Sequence, residues 1–279
     1  MTPIPSSIRP GTTPDGAFTY LEAGPPGAPP VVFLHGIGGG ARLWMRQLDA
    51  LSPRWRGIAW NMPGYAGSLG LEAPRMSDLA AALARFLDAL GLKRPVLVGH
   101  SIGGMIVQEY LAAGLGAPAA IVLAQTTPAF GGRDPAWAEQ FLQSRLAPLD
   151  AGATMASLAH ETVSGMIGDD PDPAGVALAE DAVAATPEDA FRATTLAMLG
   201  FDRRAAMAAI AVPTLLISGS RDQNAPAATM AKMAAAIPGS DYECLEGAGH
   251  LVMLERPDAV TSLLSGFLDR AATDREVAA

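Results

Sequence analysis

Cysteine is nearly absent, since Cys244 is the only one in 279 residues. A single cysteine excludes an internal disulfide and any metal site built from several cysteines. Cys244 falls in a strand-like run, and we expect it to be a small, buried, apolar residue.

Positive charge is scarce and nowhere clustered. The formal net charge is −9, and lysine occurs only at Lys93 and Lys232. Proteins that bind nucleic acid neutralise phosphates with a basic patch, which this chain does not have. The sequence therefore predicts no nucleic-acid partner.

Long apolar runs are also missing. No stretch reaches the roughly 18 uninterrupted apolar residues of a membrane span, so we expect no membrane partner. The first residues lack a basic region followed by an apolar stretch, which argues against a secretory signal and favours a cytoplasmic protein. The oligomeric state is not decided by the sequence, and a homodimer is left open.

The chain does contain short apolar runs that alternate with helical patterns. Strand-like runs are found at 18–21, 31–34, 58–60, 120–123, 213–218 and 242–245, with one more before Gly99. Buried strands alternating with helices indicate an α/β fold whose parallel sheet is covered by helices on both faces.

This alternation is interrupted between Thr126 and about Ile210, where the sequence contains helix-like segments and no convincing strand. Loops that follow strands in such folds usually span about 2–6 residues, so this stretch predicts an inserted helical lid. The expected domains are a core made of residues 1–125 and 211–279, and a helical cap made of residues 126–210.

The segment Gly99-His100-Ser101-Ile102-Gly103 follows a strand-like run and precedes a helix-like one. This context is typical of a nucleophile elbow, a tight turn that projects a serine hydroxyl from a strained backbone. Ser101 is therefore the candidate nucleophile. The alternative is a glycine-rich turn in which Ser101 only caps the next helix.

A serine nucleophile requires a base, usually a histidine that is oriented by a carboxylate. His250 follows a strand in a glycine-containing loop, and Asp222 lies in a loop directly after another strand. Because the ends of parallel strands share one edge of a sheet, both side chains can meet Ser101 there. Asp222 has an Asx turn as its structural alternative, and Asp134 is a weaker candidate for the acid.

Backbone N–H groups are the expected donors to the oxyanion that forms when a carbonyl is attacked. The N–H of Ile102 directly follows the nucleophile. The N–H of Ile37, in the glycine-rich loop after Leu34, is the expected second donor, with Gly38 as the alternative. No Lys-Ser/Thr follows these glycines, which argues against a phosphate-binding loop. No metal site is predicted.

Together these motifs resemble the α/β-hydrolase superfamily over most of the chain. The pieces that match are His35-Gly36-Ile37-Gly38-Gly39, Met62-Pro63-Gly64-Tyr65-Ala66-Gly67-Ser68, Gly99 to Gly104, Val212-Pro213-Thr214-Leu215, Asp222 and Gly249-His250. The resemblance implies a mostly parallel sheet of eight strands, a helical lid after the sixth, and hydrolysis through an acyl-enzyme without a cofactor. The lidded serine esterase and enol-lactone hydrolase branch is the most similar.

The resulting hypothesis is that the protein is a serine hydrolase. Its expected small-molecule partner is its substrate, a small or medium, largely apolar carboxylic ester or lactone. Alternatives on the same three residues are a carbon–carbon bond hydrolase, an acyltransferase or perhydrolase, and a slow-turnover ligand receptor. His100 and Leu251 stand where carbon–carbon bond hydrolases often have Asn and Trp, which counts against that branch.

The walls of the substrate pocket are expected to come from apolar residues of the lid and from Trp44 beside the oxyanion loop. The lid candidates are Trp137, Phe141, Met155, Met166, Met198 and Phe201. Each is also explained by ordinary core packing, because helices must bury an apolar stripe. Arg133, Arg203 and Arg204 are candidates for binding a substrate carboxylate.

Overall fold

A computed structural model describes residues 3–131 and 135–277 of the chain. Eight strands form one sheet, and they are β1 (Ile8–Thr12), β2 (Thr19–Ala23), β3 (Pro30–Leu34), β4 (Arg56–Trp60), β5 (Val96–His100), β6 (Ala120–Ala124), β7 (Thr214–Gly219) and β8 (Asp241–Leu245). Their order across the sheet is β1-β2-β4-β3-β5-β6-β7-β8.

Only β2 runs against its neighbours, since it pairs antiparallel with both β1 and β4. The other pairs, from β4–β3 to β7–β8, are parallel. The predicted mostly parallel sheet of eight strands is confirmed. Because β3, β5, β6 and β7 are parallel, the loops that follow them all leave from one edge of the sheet.

Ten α-helices accompany these strands within the described residues. They are α1 (Met45–Leu51), α2 (Met76–Ala89), α3 (Ile102–Ala112), α4 (Pro135–Asp150), α5 (Met155–Ser164), α6 (Pro173–Ala184), α7 (Glu188–Ala197), α8 (Ala227–Ala236), α9 (Val252–Glu255) and α10 (Pro257–Val277). Two 3₁₀ turns, Ala41–Trp44 and Arg204–Ala209, complete the regular structure.

The central strands bury both of their faces. In β3, Val31 and Phe33 belong to one apolar cluster, whereas Val32 and Leu34 belong to a second cluster on the opposite face. The first cluster includes residues of α1, α9 and α10, and the second includes residues of α2, α3 and α8. This explains why the strands are continuous apolar runs in the sequence.

The stretch between β6 and β7 contains the four helices α4–α7 and the second 3₁₀ turn. Within its described residues, the extended contact is a single bridge between Ala129 and Asp202. The absence of predicted strands from this stretch therefore agrees with the structure. We refer to it below as the α4–α7 segment.

Two local predictions differ from the structure. Strand β1 has no counterpart among the strand-like runs, because Pro10 and Gly11 interrupt its pattern; proline is tolerated there since β1 is an edge strand. Cys244 is exposed rather than buried. It lies on β8, the opposite edge strand, which has β7 as its only neighbour in the sheet.

No helix among the described residues is long and apolar enough to cross a membrane.

Candidate active site

Ser101 lies in the tight turn between β5 and α3, with φ 54° and ψ −121°. A non-glycine residue at positive φ is held in a strained conformation that costs about 1–3 kcal/mol. The turn also requires small neighbours. A Cβ added to Gly103 would lie 2.5 Å from the carbonyl oxygen of Leu34, and one added to Gly99 would lie 2.6 Å from that of Gly103. The structure therefore has the predicted geometry of a nucleophile elbow.

His250 lies in the loop after β8 and faces Ser101. Its Nε2 is 3.0 Å from the Ser101 hydroxyl oxygen. Its backbone N–H donates to the carbonyl of Met166, at 2.6 Å, and its own carbonyl accepts from Nε2 of His100, at 2.7 Å. The backbone of His250 is thus fixed through both its N–H and its carbonyl group, and the residue is buried.

Asp222 follows β7 and completes the chain of hydrogen bonds. Its Oδ2 is 2.8 Å from Nδ1 of His250, while its Oδ1 accepts from the backbone N–H groups of Asn224, at 2.8 Å, and Ala225, at 3.0 Å. Burial acts to raise the pKa of Asp222, but these hydrogen bonds and the charge of His250 outweigh burial and lower it. Asp222 is therefore a carboxylate at neutral pH, and its Oδ2 accepts a hydrogen bond from Nδ1–H of His250.

This bonding leaves Nε2 of His250 as the acceptor for the hydroxyl proton of Ser101. An imidazole in this tautomer can take up that proton as the serine oxygen attacks. Asp222 also forms the expected Asx turn with Asn224. The same carboxylate therefore stabilises the turn through Oδ1 and bonds to His250 through Oδ2.

Two other histidines near the site are unsuited to act as bases. Burial lowers the pKa of His35 to about 4; its Nδ1–H donates to Gly36 and its Nε2 accepts from Met62. Burial and the nearby charge of His250 lower the pKa of His100 to about 3. Both therefore remain neutral at physiological pH.

The oxyanion position lies between Ser101 and the loop after β3. In the described part of the chain, no protein acceptor takes up the backbone N–H of Ile37 or Ile102. The N–H of Gly38, the alternative donor, is directed at the hydroxyl of Tyr65, at 3.5 Å. The available N–H groups are thus those of Ile37 and Ile102.

The loop that carries His250 is held by a residue that no sequence motif singles out. Glu255 is buried, and its carboxylate accepts from the backbone N–H groups of Gly168, Gly249 and Leu251 at 2.7–2.9 Å. Through the bond from Gly168, the loop between α5 and α6 is attached to the Glu255 carboxylate as well. The only sequence feature that points to Glu255 is its position, five residues after the candidate catalytic histidine.

Gln125 is a second residue that holds the loop carrying His250 and that no sequence motif singles out. It has a positive φ of 45° directly after β6, and its amide group donates to the carbonyl of Gly249 while accepting from the N–H of Val252, at 3.2 Å. Residues on both sides of His250 are therefore tied to the end of a central strand.

A cavity of ≈ 680 Å³, part of it open to solvent, lies over Ser101 and His250. This volume includes solvent at the mouth of the cavity. The apolar side chains that line it are Ile37, Met105, Phe130, Phe141, Met166, Phe191, Met198 and Ala225. Phe141, Met166 and Met198 are therefore in the predicted place.

Other predicted wall residues lie elsewhere. Trp44 is fully buried against Phe33, with ring centroids 5.1 Å apart, because the 3₁₀ turn directs it into the core beneath the sheet. Trp137 is 42% exposed and stacks on Phe141 from outside the cavity lining. Met155 and Phe201 are buried core residues. None of these four is among the residues that line the cavity, and ordinary core packing, the alternative given above, describes Trp44, Met155 and Phe201.

The arginines singled out in the sequence are bound to acids or lie outside the described residues. Arg203 pairs with the buried Glu109, and Arg204 pairs with Asp202. Arg133, like Asp134, falls in the segment 132–134, outside the described part of the chain. A different arginine, Arg145 of α4, lines the cavity.

Within residues 3–131 and 135–277, no group of three or more His, Cys, Asp and Glu side chains is arranged to hold a metal ion.

The class of protein follows from this geometry together with a family comparison. The model of the alpha/beta hydrolase fold family matches residues 29–257, which include Ser101, Asp222 and His250. The chain belongs to the α/β-hydrolase fold family, and the prediction of an enzyme of this class is confirmed.

Individual relatives agree with this assignment. The chain is 27% identical to 3-oxoadipate enol-lactonase 1 of Acinetobacter baylyi over 248 residues, which cover 88% of this chain and 90% of that protein. It is 26% identical to the crystal structure of a hydrolase from Pseudomonas aeruginosa, with a TM-score of 0.81. The match covers 94% of this chain and 98% of that one. A thermophilic esterase from Thermogutta terrifontis, 23% identical with a TM-score of 0.83 and coverage of 95% and 99%, shares the fold.

Proposed function

We propose that this protein is a serine hydrolase that cleaves a small or medium, largely apolar carboxylic ester or lactone. The observation that carries the proposal is the pair of hydrogen bonds linking Ser101 to His250, at 3.0 Å, and His250 to Asp222, at 2.8 Å. This arrangement is the one in which a histidine can activate a serine hydroxyl.

In the acylation half-reaction, the Ser101 oxygen bonds to the substrate carbonyl carbon while its proton passes to Nε2 of His250. The bond to the leaving alcohol oxygen then breaks, and that oxygen takes the proton from His250. In the second half-reaction the oxygen of a water molecule bonds to the acyl carbon while one of its protons passes to Nε2 of His250. The ester bond to Ser101 then breaks, the free acid leaves, and the Ser101 oxygen takes the proton back from His250. Asp222 remains ionised throughout and stabilises the transient imidazolium.

The negative charge on the carbonyl oxygen develops next to the backbone N–H groups of Ile37 and Ile102. Both donors are rigid, since Ile102 begins α3 and Ile37 belongs to a turn closed by the bond from Gly39 to Gly36, at 3.1 Å. Donors that are already oriented stabilise the developing charge without reorganisation.

We propose further that residues 126–210 form a cap whose helices select the substrate. This proposal is supported by Phe141, Met166, Phe191 and Met198, which contribute to the cavity from the α4–α7 segment. Apolar walls favour an apolar substrate body. The similarity to an enol-lactonase supports including lactones among the substrates.

The test begins with Ser101→Ala, assayed on panels of short esters and lactones. We expect turnover to fall by roughly 10⁴-fold or more, because nucleophile and base act as a unit. We also expect a fluorophosphonate to label the wild-type protein rapidly, and only at Ser101. Near-normal hydrolysis by Ser101→Ala would contradict the proposal, and stoichiometric labelling without repeated turnover would favour a receptor.

Added alcohols separate hydrolysis from acyl transfer. If water is the acceptor, the free acid remains the main product of the wild-type enzyme in dilute methanol. A product that is mainly the methyl ester would indicate an acyltransferase instead.

A further inference from the structure

Arg145 lies on the cavity wall, one helical turn after Phe141 on α4. Its guanidinium carbon is 5.8 Å from the centroid of the Phe141 ring. The residues that line this cavity also include Ser101 and His250. Arg145 is therefore a cationic side chain in the same cavity as the proposed nucleophile.

No acid compensates this charge within the described part of the chain. Arg145 forms neither an ion pair nor a hydrogen bond there, in contrast to Arg192, which is bonded to both Asp150 and Glu188 at 2.8 Å. Burial is the cause that lowers the pKa of Arg145. A partly buried cation without a counter-charge is unfavourable, and a bound anion would remove this cost.

The other polar side chains of the cavity are suited to the same ligand. No Asp or Glu lines it. The hydroxyls of Thr126, Thr127 and Thr195 donate to backbone carbonyls. The side chains of Thr162 and Asn224, by contrast, line the cavity without a protein partner in the described residues, and both can donate to an anion.

We propose that Arg145 binds a carboxylate carried by the substrate, so that the preferred substrate is an ester or lactone with an apolar body and one anionic group. A guanidinium matches a carboxylate with two parallel N–H donors, and one cation balances one negative charge. The overall charge of −9 would repel anions, so attraction must come from this local group. The inference rests on the proposed function, because it assigns the substrate of the same site.

The experiment compares two matched substrates on one enzyme preparation. Phenyl hemiesters of succinate, glutarate and adipate carry a carboxylate at three distances from the reacting carbonyl. Their carboxamide analogues have nearly the same shape and no charge. The ratio of kcat/KM for each hemiester to that of its carboxamide is measured from released phenol, after subtraction of the uncatalysed rate. This ratio is independent of the fraction of folded enzyme.

We expect the wild-type enzyme to favour one hemiester over its carboxamide, and Arg145→Gln to lower that ratio by about tenfold to a hundredfold. Arg145→Lys should retain part of the preference, since it keeps the charge and loses the paired donors. Arg75→Gln is the control. It changes the net charge equally, but Arg75 is 84% exposed and does not line the cavity.

A ratio that Arg145→Gln leaves unchanged at all three lengths would overturn the inference, as would a wild-type preference for the carboxamides. Neither result would affect the proposed function, provided that Ser101→Ala abolishes turnover of both substrates. Hydrolysis that persists in Ser101→Ala would instead remove the proposed function itself.

Discussion

The edge of the sheet that carries Ser101, Asp222 and His250 differs from the α4–α7 segment in how its polar groups are bonded. At the sheet edge, Asp222 and His250 are buried and every oxygen or nitrogen of their side chains has a partner. On the α4–α7 segment, Arg145 and Thr162 face the cavity with no partner in the described residues. The side chains of Asp222 and His250 are thus fully bonded within the protein, whereas Arg145 and Thr162 have side-chain donors to offer a ligand.

This difference separates two tasks. A reacting group must be held within a fraction of an ångström, which requires rigid elements and satisfied hydrogen bonds. Recognition of a substrate requires groups whose bonding is completed by that substrate. Changes at the sheet edge should therefore affect all substrates equally, and changes in the α4–α7 segment should affect them selectively.

The largest effect on this comparison is expected from Asp222→Asn. An amide would donate to Nδ1 of His250 rather than accept from it, so the imidazole would hold the wrong tautomer. We expect kcat to fall by about 10³- to 10⁴-fold on every substrate, in keeping with the known behaviour of such triads. Kinetics on an ester and a lactone test this; a loss confined to one of them would contradict the assigned role.

Two of the four tryptophans, one buried beneath the sheet and one on α4, give the next largest contrast. Trp44→Ala should lower the free energy of unfolding by about 3–5 kcal/mol, because it empties a fully buried site against Phe33. Trp137→Ala removes a ring that is 42% exposed, and we expect a cost of about 1 kcal/mol or less. Urea denaturation of both variants measures the difference, and equal costs would show that the exposed ring is not peripheral.

The pH dependence of stability probes the buried histidines of the sheet edge. In the unfolded chain they titrate near 6.5, whereas the folded pKa values of His35 and His100 are about 4 and about 3. Below pH 6.5 the unfolded chain binds protons that the folded chain does not, so stability is complete above this pH. It falls by about 1.4 kcal/mol per pH unit for each histidine as the pH decreases toward the folded values.

Unfolding measured at pH 7 and pH 5 checks this expectation. His35→Gln and His100→Gln should each reduce the difference between the two pH values. His160→Gln is the control, because that side chain is 85% exposed. A difference that neither buried-site variant reduces would show that other groups control acid stability.

The smallest effect is expected from Phe141→Ala, which enlarges the cavity on the side of α4. We expect kcat/KM to fall by about tenfold for esters with bulky acyl groups and to change little for acetyl esters, since only large groups reach this wall. An equal loss for both would indicate that Phe141 supports the sheet edge rather than the pocket.

Much of the fold could be predicted because its signals are local. The strand, turn and helix around Ser101 follow one another within about a dozen residues, and the glycines that allow their close approach are visible in the sequence. The order of nucleophile, acid and histidine indicated which three residues to place together. Strand β1 was missed because its proline and glycine obscure the only local signal that it has.

The cavity wall could not be predicted in the same way. Trp44 and Phe141 are both aromatic residues on helical segments, yet one is buried in the core and the other lines the cavity. Similarly, nothing in the sequence distinguishes Arg203, which pairs with Glu109, from Arg145, which has no such partner in the described residues. These outcomes depend on which distant residue each side chain meets.

The sequence by itself determined the alternation of strands and helices, the turn at Ser101 and the identity of the three polar residues at the sheet edge. Backbone propensities, turn chemistry and chain order act over short distances, so they can be recognised without coordinates. Only the tertiary structure decided which aromatic rings line the cavity and which arginine remains available to a ligand. Burial and charge pairing are set by contacts between segments far apart in the chain, and these arise when the chain folds.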